Sequence, residues 1–270
     1  AHMDEIGLII SYVDKKGFLR FQPIGGIDPM TLIGGRVQFA DGTQGVIAPE
    51  NRSTFADSPG LAKLYIDVGA TSREQVQMRL GQIVGFVRPF VDLGNRIVAK
   101  AMDDRISCAL LVDLLQRLGD SPHDVYFVFS VQEEVGLRGA RTSAYTLDPD
   151  LGIALDVTIA ADTPEAAKLA MKLGDGPCIK VMDSGMLSHP ELNECLIETA
   201  EAQNIPYQLE VLVGGTTDAA AMQLTRSGMP ATCISIACRH VHTQSEMVDM
   251  DDVQNAVKLL LAVLAAPIEI

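Results

Sequence analysis

Apolar and polar positions follow two different rhythms along this chain, and the change falls near Arg96. Up to that point short apolar runs alternate with turn residues. Residues 8–13 are apolar, Asp14-Lys15-Lys16-Gly17 reads as a turn, and residues 18–21 return, which predicts a β-hairpin. Further short strands are predicted at 37–39, 46–47, 64–68 and 83–91, with Asp41-Gly42 turning between the first two. Ser72-Arg73-Glu74-Gln75 has the form of a capping box opening a short helix. Many short strands spaced by turns predict a small barrel or sandwich.

From about Ile97 the rhythm becomes that of alternating strand and helix. Ile106, Leu110, Leu114 and Leu118 fall on one stripe, predicting a helix over 104–118 that stops at Gly119. Short apolar runs at 125–129, 153–155, 178–182 and 232–236 have the texture of buried strands. A strand is also predicted at 207–213, with helices at 191–203, 219–225 and 251–265. The fold class expected is α/β: a mostly parallel sheet with helices on both faces, carrying a β-rich insert. The boundaries expected are 1–7 and 97–270 for the α/β domain and 8–96 for the insert.

The chain has 270 residues, of which 47% are hydrophobic, enough for a substantial core. Its 21 basic and 35 acidic residues argue against a nucleic-acid partner, which needs a basic footprint. No run is apolar and long enough to cross a bilayer, so no membrane partner is expected. The five cysteines form no C-x-x-C pair and read as buried free thiols of a reducing compartment.

Candidate chemistry lies in five clusters. These are Ala1-His2-Met3-Asp4, Asp103-Asp104-Arg105, Gln132-Glu133-Glu134-Val135-Gly136, Leu155-Asp156-Val157 and Arg239-His240-Val241-His242. Taken singly, Asp103-Asp104 reads as a helix cap before a metal role, and Glu133-Glu134 as a solvated loop. Asp156 at the close of an apolar run needs a partner. Each cluster sits at the predicted end of an element, where α/β sheets gather ligands. His2, Asp103, Glu134, Asp156 and a histidine of the last cluster exceed what one tetrahedral ion requires. They suit two divalent ions sharing a carboxylate, with zinc, cobalt or manganese favoured by nitrogen and oxygen donors. His240 and His242 lie two apart, and either can supply the imidazole. Glu133 stands beside the ligands as the natural proton acceptor, and Asp4 can accept the second ring N–H of His2. His123 and His189 lie in polar, turn-like settings and are expected at the surface.

With Lys100-Ala101-Met102-Asp103-Asp104-Arg105, Val131-Gln132-Glu133-Glu134-Val135-Gly136 and Gly214-Gly215-Thr216-Thr217-Asp218-Ala219 added, the chain resembles the M42 peptidases, metallo-aminopeptidases of the glutamyl aminopeptidase and TET type. The resemblance implies that His2 and Asp156 hold one ion, that Glu134 and His242 hold the other, and that Asp103 bridges both. It implies Glu133 as general base, Asp4 as support for His2, and a cis Asp103–Asp104 peptide. It also implies peptide substrates, a cytoplasmic setting, and a barrel insert that dimerises and builds up to dodecamers. The family carries a further segment ahead of its His-x-Asp motif, so edges and apolar surface are expected where that segment would pack. Two alternatives stand beside the aminopeptidase. One is another di-metal amidohydrolase, a deacylase or carboxypeptidase; the other is a catalytically silent assembly module. An endoglucanase label used in the family fits poorly with a chain that has no Trp.

Overall fold

A computed structural model describes residues 1–50 and 60–270. The chain divides into two compact units. One comprises Ala1–Asp4, Val91–Val241 and Glu246–Ile270; the other comprises Glu5–Phe90 and His242–Ser245.

The smaller unit is a closed six-stranded barrel. Its strands are β1 (Gly7–Val13), β2 (Leu19–Ile24), β3 (Arg36–Phe39), β4 (Gln44–Pro49), β5 (Leu64–Asp67) and β6 (Ile83–Phe86), in the order β1-β2-β5-β4-β3-β6. Period-two alternation explains its core: Leu8 and Ile10, Leu19 and Phe21, Val37 and Phe39, and Val84 and Phe86 all point inward and are buried. The predicted hairpin forms as expected. Asp14 Oδ1 accepts from Lys16 N at 2.8 Å and Phe18 N at 3.0 Å, and Gly17 supplies φ +90°. One short helical turn, α1 (Pro29–Leu32), precedes β3. The predicted capping box gives only one 3₁₀ turn, Arg73–Gln75. Ser72 makes no side-chain cap there, and Gln75 Oε1 accepts from Thr71 N at 2.8 Å rather than from Ser72 N.

The larger unit is a seven-stranded sheet with helices. Its strands are β7 (Val91–Asp92), β8 (Arg96–Ala99), β9 (Gly152–Ile159), β10 (Cys178–Met182), β11 (Gln208–Val211), β12 (Ala231–Arg239) and β13 (Glu246–Asp249). The path runs β11-β10-β12-β13-β8-β7, and β9 pairs with β12. The α/β class with a barrel insert is as the sequence implies, but the strand directions are mixed where a mostly parallel sheet is expected. β9–β12 and β10–β11 are parallel, while β10–β12, β12–β13, β13–β8 and β7–β8 are antiparallel. Short returns such as those joining β7 to β8 and β12 to β13 permit only antiparallel pairing. β12 is buried along nearly its whole length, as a strand covered on both faces must be.

The helices are α2 (Met102–Arg117), α3 (Arg138–Leu147), α4 (Pro190–Ala202), α5 (Asp218–Gln223) and α6 (Met250–Leu264). The predicted stripe of α2 buries Ile106, Leu110 and Leu114 against Leu155 and Val157 of β9, Ile234 and Ile236 of β12, and Val253, Val257 and Leu260 of α6. Two expectations fail locally. The apolar run 125–129 forms no regular strand; among the described residues its backbone is bonded only near one end, where Ser130 bridges His2 in parallel. A strand needs a ladder of partners along its length, and apolarity alone does not supply one. β9, for its part, runs on past Leu155 to Ile159, so Asp156 lies within the strand rather than closing it.

Under the sheet lies a wholly buried ion pair. Lys180 of β10 and Glu210 of β11 are in register, their side chains meet, and Thr158 Oγ1 also donates to Glu210 Oε1 at 2.7 Å. Lys180→Ala would strand a buried carboxylate. The expected cost is about 3–5 kcal/mol, read as a fall in the urea unfolding midpoint, whereas Lys180→Ala combined with Glu210→Leu recovers most of it.

Candidate metal centre

Asp156 alternates with Leu155 and Val157, so its carboxylate leaves the sheet on the face opposite the aliphatic core. Its register neighbour on β12 is the small Ser235. Its Oδ1 accepts from Val157 N at 2.7 Å. Asp103 stands at the start of α2, where φ/ψ are not yet helical, and the Asp103–Asp104 peptide is cis. Glu246 Oε2 of β13 accepts from Asp103 N at 3.0 Å, pinning the backbone that presents the carboxylate.

His2 is 2% exposed and held on all sides. Met3 N donates to Ser130 O at 2.8 Å, and Ser130 N donates to Ala1 O at 2.9 Å. His2 N donates to Asp104 Oδ2 at 3.0 Å, and Cys108 Sγ donates to His2 O at 3.1 Å. The ring's Nε2 is 3.0 Å from Asp103 Oδ1 and 3.9 Å from both Asp156 Oδ1 and Glu133 Oε2. Its Nδ1 faces Asp4, 3.2 Å from the carbonyl and 3.5 Å from Oδ1.

Glu133 and Glu134 follow Ser130, the residue that bridges His2. Gly136 at φ +120° turns the chain into α3, and Gly139 packs so closely on Val131 that an added Cβ would lie 2.5 Å from its backbone. Asp4 reaches this segment too, accepting from Glu133 N at 3.1 Å and Glu134 N at 3.3 Å. One carboxylate thus orients the histidine and both glutamates.

Ligand atoms of His2, Asp103 and Asp156 all lie within 4.8 Å of one another, and one oxygen each of Asp103 and Glu134 is equally close. Donors about 2.0–2.2 Å from a shared ion fall within such spacings. Of the residues expected at the site, His2, Asp4, Asp103, Glu133, Glu134 and Asp156 are therefore gathered within the larger unit. His242 lies on His242–Ser245, which belongs to the smaller unit, while its neighbour His240 is exposed. His123 and His189 are each half-buried, His123 with its Nε2 bonded to Ala266 O at 2.8 Å and His189 just before α4. All five cysteines are free, and four are buried.

The electrostatics fit a cationic occupant. Burial, then the charges of Asp104 and Asp103, push Asp156 well above the usual carboxylate range. Burial carries Asp104 to about 7 and Glu133 to about 8, with Asp218 and Glu134 adding to the latter. Burial alone would lower His2, but its bonds to Asp103 and Asp4 raise it. Burial would likewise raise Asp4, yet His2 and the Glu133 amide hold it low. A buried divalent ion reverses this logic by supplying the charge that keeps the carboxylates ionised.

Residues 1–259 match the family model for M42 glutamyl aminopeptidases. The chain belongs to this family. It is 40% identical over 278 residues to lysyl aminopeptidase of Pyrococcus furiosus, covering 98% of this chain and 80% of that one. Among solved structures it superposes on aminopeptidase APDkam598 of the archaeon Desulfurococcus kamchatkensis with TM-score 0.95 at 45% identity, over 99% of this chain and 78% of that one. It also matches the Pyrococcus horikoshii TET1 peptidase, a protein that can assemble into a tetrahedron or a large octahedral shell, with TM-score 0.86 at 31% identity, over 99% and 82%. The M42 chain is accordingly an enzyme of the peptide-bond-hydrolysing class. Ser130 and Cys108 form part of the support for this centre and carry no motif of their own; only their distant partners reveal them.

Proposed function

We propose that this chain is a dinuclear metal-dependent aminopeptidase releasing amino-terminal residues from peptides. The observation that carries the reading is the convergence of His2 Nε2 with Asp103 and Asp156 oxygens inside 4.8 Å, with Glu133 Oε2 a further 3.9 Å from the same ring nitrogen. His2 and Asp156 would hold one ion, Glu134 would serve the other, and Asp103 both. Zinc or cobalt suits this donor set best, with manganese also accommodated. Such ions, when bound, polarise a scissile carbonyl and make a water acidic enough to react near neutral pH.

The remaining work falls to the chain. Glu133 is held by Asp4 through its backbone N–H, which leaves its carboxylate to take a proton from the attacking water and hand it to the departing amine. Asp4 keeps the His2 ring in one orientation through Nδ1, the usual arrangement for a ligating imidazole. The barrel serves as the dimerising element, and dimers build towards larger closed assemblies of the kind reported for the horikoshii peptidase. A cytoplasmic setting accords with free thiols.

The test is substrate choice by purified protein given zinc or cobalt. Aminoacyl anilides with a free amine are expected to be cleaved, with N-acylated amino acids and cellulose left intact. Cleavage of the N-acylated compounds instead would make the protein a deacylase or carboxypeptidase.

A further inference from the structure

The Gly214-Gly215-Thr216-Thr217-Asp218-Ala219 segment is given no role in the proposed function, yet it carries Asp218, a carboxylate only 5% exposed. We propose that Asp218 is a positioning residue for the metal ligand His2, acting through Ser130. The inference rests on the metal-centre reading.

Ser130 Oγ donates to Asp218 Oδ2, and Ser130 is itself 4% exposed. The Ser130 main chain is the only β-partner of His2 among the described residues, with its N–H on Ala1 O and its carbonyl receiving Met3 N. Ser130 thus links Asp218 to the main chain on either side of His2, through Ala1 O and Met3 N, and its Oγ lies within 3.2 Å of Ala1 O as well. The far end is anchored as well. Ser184 N donates to Gly215 O at 3.1 Å, Thr216 Oγ1 donates to Asp183 Oδ1 at 3.3 Å, and Ala219 and Ala220 pack with Ala154, Met186 and Cys233. Two braces therefore meet at the histidine. Asp4 orients its ring, and Asp218 fixes the backbone from which the ring projects.

Packing alone gives no reason for Asp218. Its Oδ1 has no hydrogen-bond partner among the described residues, and a buried carboxylate bonded to one neutral hydroxyl is costly where an apolar residue would fill the space. The plain competing role is an acid at the start of α5, where the helix dipole favours negative charge. That role predicts a change in stability with no change in metal affinity.

The experiment is a titration of the full ion-free chain with cobalt(II), followed by the visible absorption of the bound ion. It compares wild type with Asp218→Ala, Ser130→Ala and Asp218→Asn, alongside thermal unfolding of the ion-free forms. Asp218→Ala and Ser130→Ala are each expected to weaken one of two cobalt sites about 10- to 100-fold and to leave the other within a factor of about two. Asp218→Asn, which still accepts from Ser130, is expected to keep wild-type affinity. Ser130→Ala is the milder variant and carries the test if Asp218→Ala does not fold. If Asp218→Ala and Ser130→Ala lower the unfolding temperature while both cobalt affinities stay at wild type, the inference is overturned and the metal centre stands. A wild-type chain that binds no cobalt overturns both.

Discussion

Glu133→Gln is expected to cut kcat on free-amine anilides by roughly 10²–10⁴-fold, the range for losing a general acid–base, while the protein still takes up two ions. The glutamine matches the carboxylate in shape, and the Glu133 N–H that donates to Asp4 is untouched. Its side chain cannot accept the water's proton, so the loss should appear in kcat with KM nearly unchanged. Metal content by elemental analysis separates this outcome from simple loss of the ions. A variant with two ions and wild-type kcat would remove Glu133 from the chemistry.

Asp103→Ala should have the broadest effect of any single change. Its carboxylate is the one member of the cluster close both to the His2–Asp156 group and to Glu134. Its removal is expected to cost affinity at both sites, and activity by more than the hundredfold that losing a mere supporting contact can cause. Asp156→Asn, in contrast, should weaken one site and spare the other. The Asp103 backbone remains tied to Glu246 in the alanine variant, so circular dichroism should show an unchanged fold. Loss of only one ion from Asp103→Ala would mean the two sites share no ligand there.

Local patterns made much of this architecture readable. The stripe on α2, the hairpin of β1 and β2 and the buried run of β12 each follow from spacing alone, because burial of one face selects the period. Strand direction did not follow in this way. The antiparallel places of β13 and β8 are set by pairing between residues some 150 positions apart, such as Glu246 with Ala99. Asp156 misled for a related reason. An acid in an apolar run reads as a strand end, but here the site needs it and the strand continues around it. The proposed ligands were legible because metal chemistry restricts residue type. The Ser130 brace was not: a serine at 130 is ordinary until the fold brings it beside His2.

Asp4 illustrates the difference. Its spacing from His2 suggests contact with the ring, and the ring does face it. Nothing in the spacing suggests that the same carboxylate receives the amides of Glu133 and Glu134, about 130 positions away. Asp4→Ala therefore disturbs ligand and base together, and should be more damaging than loss of ring orientation alone.

Diffraction from crystals grown with zinc, recorded on both sides of the zinc absorption edge, tests the central claim most directly. Two anomalous peaks are expected about 3.5–4 Å apart, one bonded to His2 Nε2 and Asp156 and both touching Asp103. Zinc-saturated crystals with no peak beside His2, or with a lone ion that Asp103 does not touch, would contradict the account.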